Sequence, residues 1–81
     1  MEYIKITNPL FVRDRDGEGH LHSVIGKMPG GGLVEQSAQH HQIVQRCFLP
    51  DGKVVLTYFS EEKGVMTRMG EQTYSLNLLL A

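Results

Sequence analysis

The stretch 43-IVQRCFLPDGKVVLTYF-59 holds two runs of β-branched and aromatic residues, divided by Pro50, Asp51 and Gly52. Pro presets φ for the first turn position, Asp bonds locally to the backbone, and Gly accepts the positive φ that closes the reversal. The stretch therefore predicts an antiparallel hairpin of 43–49 and 53–59. Side chains alternate along a strand, so Ile43, Gln45, Cys47 and Leu49 form one row while Arg46 and Phe48 share the other.

Toward the C-terminus the pattern continues. A polar turn, 60-SEEKG-64, leads to a short strand, 65-VMTRM-69, and 70-GEQ-72 is expected to turn again. The last run, 73-TYSLNLLLA-81, alternates with Tyr74, Leu76, Leu78 and Leu80 on one face. Residues 42–81 thus predict a four-stranded meander. Toward the N-terminus the signal weakens. In 33-LVEQSAQHHQ-42 the apolar positions are only Leu33, Val34 and Ala38, which fits a short helix or an extended arm equally. The preceding 28-MPGGG-32 carries no packing information of its own, and with 33–42 it is expected to be an adaptable arm. Residues 9-PLFVR-13 and 20-HLHSVI-25 flank the Asp- and Gly-rich 14-DRDGEG-19 and predict a second hairpin, while 2-EYIKI-6 alternates weakly. The expectation is one all-β domain, residues 1–81. It is a small antiparallel barrel or sandwich of six to seven short strands, with a possible short helix at 33–42.

Composition narrows the function. A chain of 81 residues buries a limited core and often leans on a staple, a metal or a partner. Cys47 is the only cysteine, so no disulfide forms within the chain. Eight basic against nine acidic residues give a net charge of −1, with no basic excess of the kind that suits nucleic acid or an anionic membrane. MEYIKITNPL lacks the pattern of a signal peptide, and no apolar run approaches the ~18 residues of a membrane span. The expected location is the cytoplasm, or a particle assembled there.

Candidate chemistry is sparse. His20 and His22 stand two apart on a predicted strand and would project from one face. A zinc site wants three or four ligands; the remaining candidates are His40, His41, Cys47, Asp16, Glu18 and Glu35, and no fixed spacing completes the set. No bound metal or cofactor is expected. Met28, Met66 and Met69 read as gap-fillers rather than copper ligands. Cys47 could be a nucleophile beside a histidine, but its mid-strand position reads as a small buried hydrophobe. With no catalytic signature, the chain reads as non-enzymatic.

The function expected from the sequence is assembly with other protein chains, as a homo-oligomer or a minor structural subunit of a larger complex such as a phage virion. Its interaction residues would be Tyr74, Leu76, Leu78, Leu80, Arg46 and Phe48. One alternative is a barrel that binds single-stranded nucleic acid through Phe48, Tyr58 and Phe59 with Arg46, Lys53 and Arg68 nearby. The other is a histidine-based metal binder.

Overall fold

The computed structural model describes residues 1–14 and 22–75, with Asp14 and His22 described through their backbone alone. It is all-β. The strands are β1 (Phe11–Asp14), β2 (His22–Lys27), β3 (Leu33–Gln39), β4 (Gln42–Phe48), β5 (Lys53–Glu62) and β6 (Val65–Ser75). Each pairs antiparallel with the next, giving one six-stranded sheet in chain order. The sheet is open, with β1 and β6 as its edges, so the expected barrel or sandwich closure is replaced by a single meander.

Each reversal follows from local chemistry. Between β4 and β5, the Gly52 N–H donates to the Leu49 carbonyl at 3.1 Å and the Lys53 N–H to Asp51 Oδ1 at 3.0 Å. Gly52 sits at φ 89°, as the Pro-Asp-Gly reading requires. Between β5 and β6 the loop is only Lys63 and Gly64, both at positive φ, which matches the right-handed twist of a two-residue hairpin. His40 and His41 make the β3–β4 loop, with His40 at φ 56°.

Three expectations are corrected. Residues 33–39 are a strand, neither helix nor arm. Gly30, Gly31 and Gly32 all adopt positive φ and reverse the chain tightly, with the Met28 N–H donating to the Gly32 carbonyl at 3.1 Å. A Cβ on Gly32 would lie 2.3 Å from the Phe48 carbonyl oxygen, so this glycine is demanded by the packing. The reversal lays Leu33 against Lys27 and starts the β2–β3 ladder. Secondly, 70-GEQ-72 is no turn. Strand β6 runs through it with a register shift opposite Tyr58 and Phe59, and Gly70 lies across from Tyr58. An open pleat beside an aromatic ring suits a strand glycine as well as a turn does. Thirdly, residues 2–6 form no strand of the sheet; they cross its face.

That crossing builds the core. Cross-strand partners share a face. One face carries the rows Val34–Cys47–Val55, Gln36–Gln45–Thr57 and Ala38–Ile43–Phe59. The N-terminal strap lies over this inner face, with Met1, Ile4 and Ile6 against the cluster of Val34, Cys47 and Val55. The Tyr3 ring meets Phe59 edge to face at 5.4 Å. The strap belongs to no strand ladder, and at its centre the Ile4 backbone is satisfied by a side chain. Gln45, 1% exposed, accepts from the Ile4 N–H at 3.0 Å and donates to the Ile4 carbonyl at 2.7 Å. It also donates to Gln36 Oε1 at 2.8 Å. At one end the α-ammonium of Met1 pairs with Glu71 on β6. At the other, Ile6 lies so close to β2 that a Cβ on Gly26 would stand 2.6 Å from its Cγ2. The strap therefore spans from β6 to β2, and the Leu10 N–H then joins the Ile25 carbonyl at 2.7 Å, leading into β1.

Candidate protein interaction face

The opposite, outer face is built by the alternate residues of the same strands. Its upper row is Lys27, Leu33, Phe48, Val54 and Tyr74. The middle row is Phe11, Ile25, Glu35, Arg46, Leu56 and Gln72, and the lower row is Arg13, Ser23, Ser37, Val44, Tyr58 and Gly70. The strap runs over the inner face, and among the described residues no segment is laid in the same way across the outer one. Phe11 is 57% exposed, Leu33 42%, Phe48 38%, Tyr58 37% and Tyr74 38%. Leu33 and Phe48 are cross-strand neighbours in the upper row, Val54 beside them is 3% exposed, and Phe11 and Tyr58 stand in the other two rows. At the centre of the sheet, Arg46 Nη1 bonds Glu35 Oε1 at 2.9 Å across β3 and β4.

The predicted interaction residues divide. Arg46, Phe48 and Tyr74 come together on this face. Leu76, Leu78 and Leu80 lie outside the described residues. Of the predicted nucleic-acid set, Phe48, Tyr58 and Arg46 share the outer face. Phe59 is buried in the core beside Tyr3, and Lys53 and Arg68 belong to the inner-face rows.

The histidines and Cys47 do not converge. His20 lies outside the described residues, while the His22 backbone pairs with Asp14 and Ala38. His41 starts the run into β4 and Cys47 sits near its far end, six residues on, which is about 20 Å in a strand. His41 instead bonds Glu61 Oε2 through Nδ1 at 2.9 Å. That bond, with the Gly64 N–H donating to Glu61 Oε1 at 3.0 Å, holds the Glu61 carboxyl below its usual range. Cys47 is 1% exposed between Val34 and Val55, and burial pushes its thiol up, which keeps it protonated. Among the described residues no three His, Cys, Asp or Glu side chains are grouped to hold a metal ion. Met69, expected inside, is 68% exposed at the register shift in β6.

Sequence reasoning missed Gln45, Gln36 and Glu71 as structural polar groups, and Leu33 and Phe11 as parts of the outer face. The one available signal was that 43–49 and 53–59 are apolar on both alternating rows, which marks a sheet with two faces to cover. Among the described residues no helix is long and apolar enough to cross a membrane. No family model matches the chain, and neither does any curated protein or solved structure at a significant level.

Proposed function

We propose that the chain is a non-enzymatic assembly module that docks other protein chains on its outer face. It would act as a homo-oligomer or as a minor structural subunit of a larger particle, for example a virion component put together in the cytoplasm. The observation that carries this reading is the face of Phe11, Leu33, Phe48, Tyr58 and Tyr74, half exposed and crossed by no segment among the described residues. The edges β1 and β6, unpaired on their outer sides among the described residues, add to it, because unpaired strand edges recruit further strands. The test is the mass in solution at rising concentration, by light scattering, for the wild type and for Leu33→Asp. Leu33 is half exposed, so the variant keeps the fold, and assembly is expected to fall. A wild type that stays monomeric, and that joins no particle when produced alongside its source's other proteins, refutes the reading.

A second reading has its own observation. Phe11, Phe48, Tyr58 and Tyr74 are exposed aromatics on a single antiparallel face, the layout on which bases of a single strand stack. The Glu35–Arg46 pair spends the central cation on a carboxylate, which places this reading second. Salt-dependent binding of a short single-stranded oligonucleotide, lost in Phe48→Ala, would bring it forward.

A further inference from the structure

We propose that the occupant of the outer face is a second copy of this chain, stacked face to face about a two-fold axis that runs parallel to the strands between β3 and β4. The inference rests on the assembly reading above and adds the partner and the geometry.

The argument begins with the single ion pair at the centre of that face. Glu35 and Arg46 lie side by side on the two middle strands, joined at 2.9 Å, and each side chain keeps about a third or more of its exposure. A two-fold axis between two stacked sheets lies in the interface plane. An axis perpendicular to the strands would set Glu35 over Glu35 and Arg46 over Arg46, which like charge forbids. An axis along the strands, midway between β3 and β4, sets each Glu35 over the Arg46 of the other copy. The four groups then form an alternating ring in which every charge has two opposite neighbours.

The same operation arranges the apolar residues. Leu33 on β3 meets Phe48 on β4 of the second copy, and Ile25 on β2 meets Leu56 on β5. Each of these contacts is made twice, and together they flank the charged ring. An isologous interface needs such self-complementarity. Six strands at about 4.8 Å spacing, with three side-chain rows, make a face of roughly 500 Å² in projection, so a stacked pair would cover about 1,000 Å², the lower bound of a specific interface. Sheets stacked this way lie about 10 Å apart with strands roughly aligned. The product is a β-sandwich made by two chains, each capped on its outside by its own strap.

The experiment uses charge reversal in two separate proteins, Glu35→Arg and Arg46→Glu. Each variant alone places like charges over one another in the stacked pair, so its dimer is expected to weaken about tenfold or more. When the two are mixed in equal amounts, the paired arginines of Glu35→Arg stand over the paired glutamates of Arg46→Glu. Mass is then expected to return as a heterodimer close to wild-type strength. Circular dichroism and the melting midpoint confirm that both variants are folded, and Leu33→Ser provides an uncharged variant that is expected to dissociate as well. A wild-type dimer unaffected by either reversal, or reversals not rescued by mixing, overturns the two-fold stack but leaves assembly by another surface in place. A monomeric wild type that binds a different protein through Phe48 overturns the second copy alone. A wild type that dimerises only after residues 76–81 are removed assigns the face to the chain's own C-terminal leucines and also overturns it. A monomer that binds only an oligonucleotide defeats both this inference and the assembly reading.

Discussion

The two faces of this sheet have similar apolar content and opposite fates. The inner face, around Val34, Ile43, Cys47, Val55 and Phe59, is dry because the strap of residues 1–6 crosses it. On the outer face Leu33, Phe48, Tyr58 and Tyr74 each keep more than a third of their surface in water, while Val54, between Phe48 and Tyr74, is 3% exposed. Polarity is even inverted at the extremes: Gln45 is 1% exposed and Phe48 38%. On the inner face burial comes with the segment that crosses it, and a crossing segment without ladder partners needs a polar side chain inside to satisfy it. Gln45 takes that role by offering the Ile4 backbone both an acceptor and a donor, much as a neighbouring strand would.

The sharpest way to break this contrast is to remove the strap's anchor. Gln45→Leu keeps the volume but strands the Ile4 N–H, the Ile4 carbonyl and Gln36 Oε1 without their partner. A loss of about 3 kcal/mol is expected in urea unfolding, a large share of the stability of a domain this size. A midpoint near wild type would mean that the strap is held by its apolar side chains alone.

Next in size is Gly26→Ala, which drives a methyl to 2.6 Å from Ile6 Cγ2. About 2 kcal/mol is expected, and the cost should shrink sharply in an Ile6→Ala background, since the two sites share one contact. Additive effects in that double-mutant cycle would show that the strap does not press on β2.

Gly52→Val calibrates the comparison, because its site faces open space and only its φ of 89° resists a side chain. It should cost about 1 kcal/mol through the turn, without favouring either face. An unchanged denaturation midpoint would remove the left-handed turn from the account.

On the outer face the same chemistry should matter least to the fold. Phe48→Ser is expected to change the stability of the single chain by about 1 kcal/mol at most, while lowering assembly. A loss as large as that of Gln45→Leu would place Phe48 in a core of the isolated chain.

The mildest perturbation is acid at the strap's end. The bond from the Met1 ammonium holds the Glu71 carboxyl below its ordinary 4.5, against a smaller opposing effect of partial burial, with help from Thr57 and Arg68. A lowered folded-state value means that the carboxylate stabilises the fold fully above the ordinary value. That contribution is lost as pH falls from about 4.5 through the folded-state value. The midpoints of wild type and Glu71→Gln should therefore differ near neutral pH and converge in acid. A gap that persists at low pH would trace to the Gln side chain instead of the charge.

How much of this was legible differs by segment. The 43–59 hairpin was plain, because Pro-Asp-Gly between β-branched runs admits few alternatives. The pairing of 9–13 with 20–25 was legible for a similar reason, two runs about a polar loop. Strand β3 was hidden because its inward row holds Gln36, which becomes an inside residue only when Gln45 arrives opposite it. Gly70 read as a turn because a glycine's reason for being in a strand is a neighbour, here Tyr58, twelve residues away. Of the residues expected to interact, Arg46 and Phe48 share a face as alternation predicts and Tyr74 falls on that same face, whereas Phe11 and Leu33 join it only through register.

By itself the sequence determined the class of the fold, the position of most reversals, the lack of an internal disulfide and which residues alternate together. These are local matters, settled by φ preferences and a period of two. Tertiary structure alone decided that the sheet stays open, that residues 1–6 lie across it, and therefore which of two equally apolar faces is dry. The physical reason is that alternation specifies two faces without saying what will cover either, and that choice is made by one glutamine meeting a backbone 41 positions away.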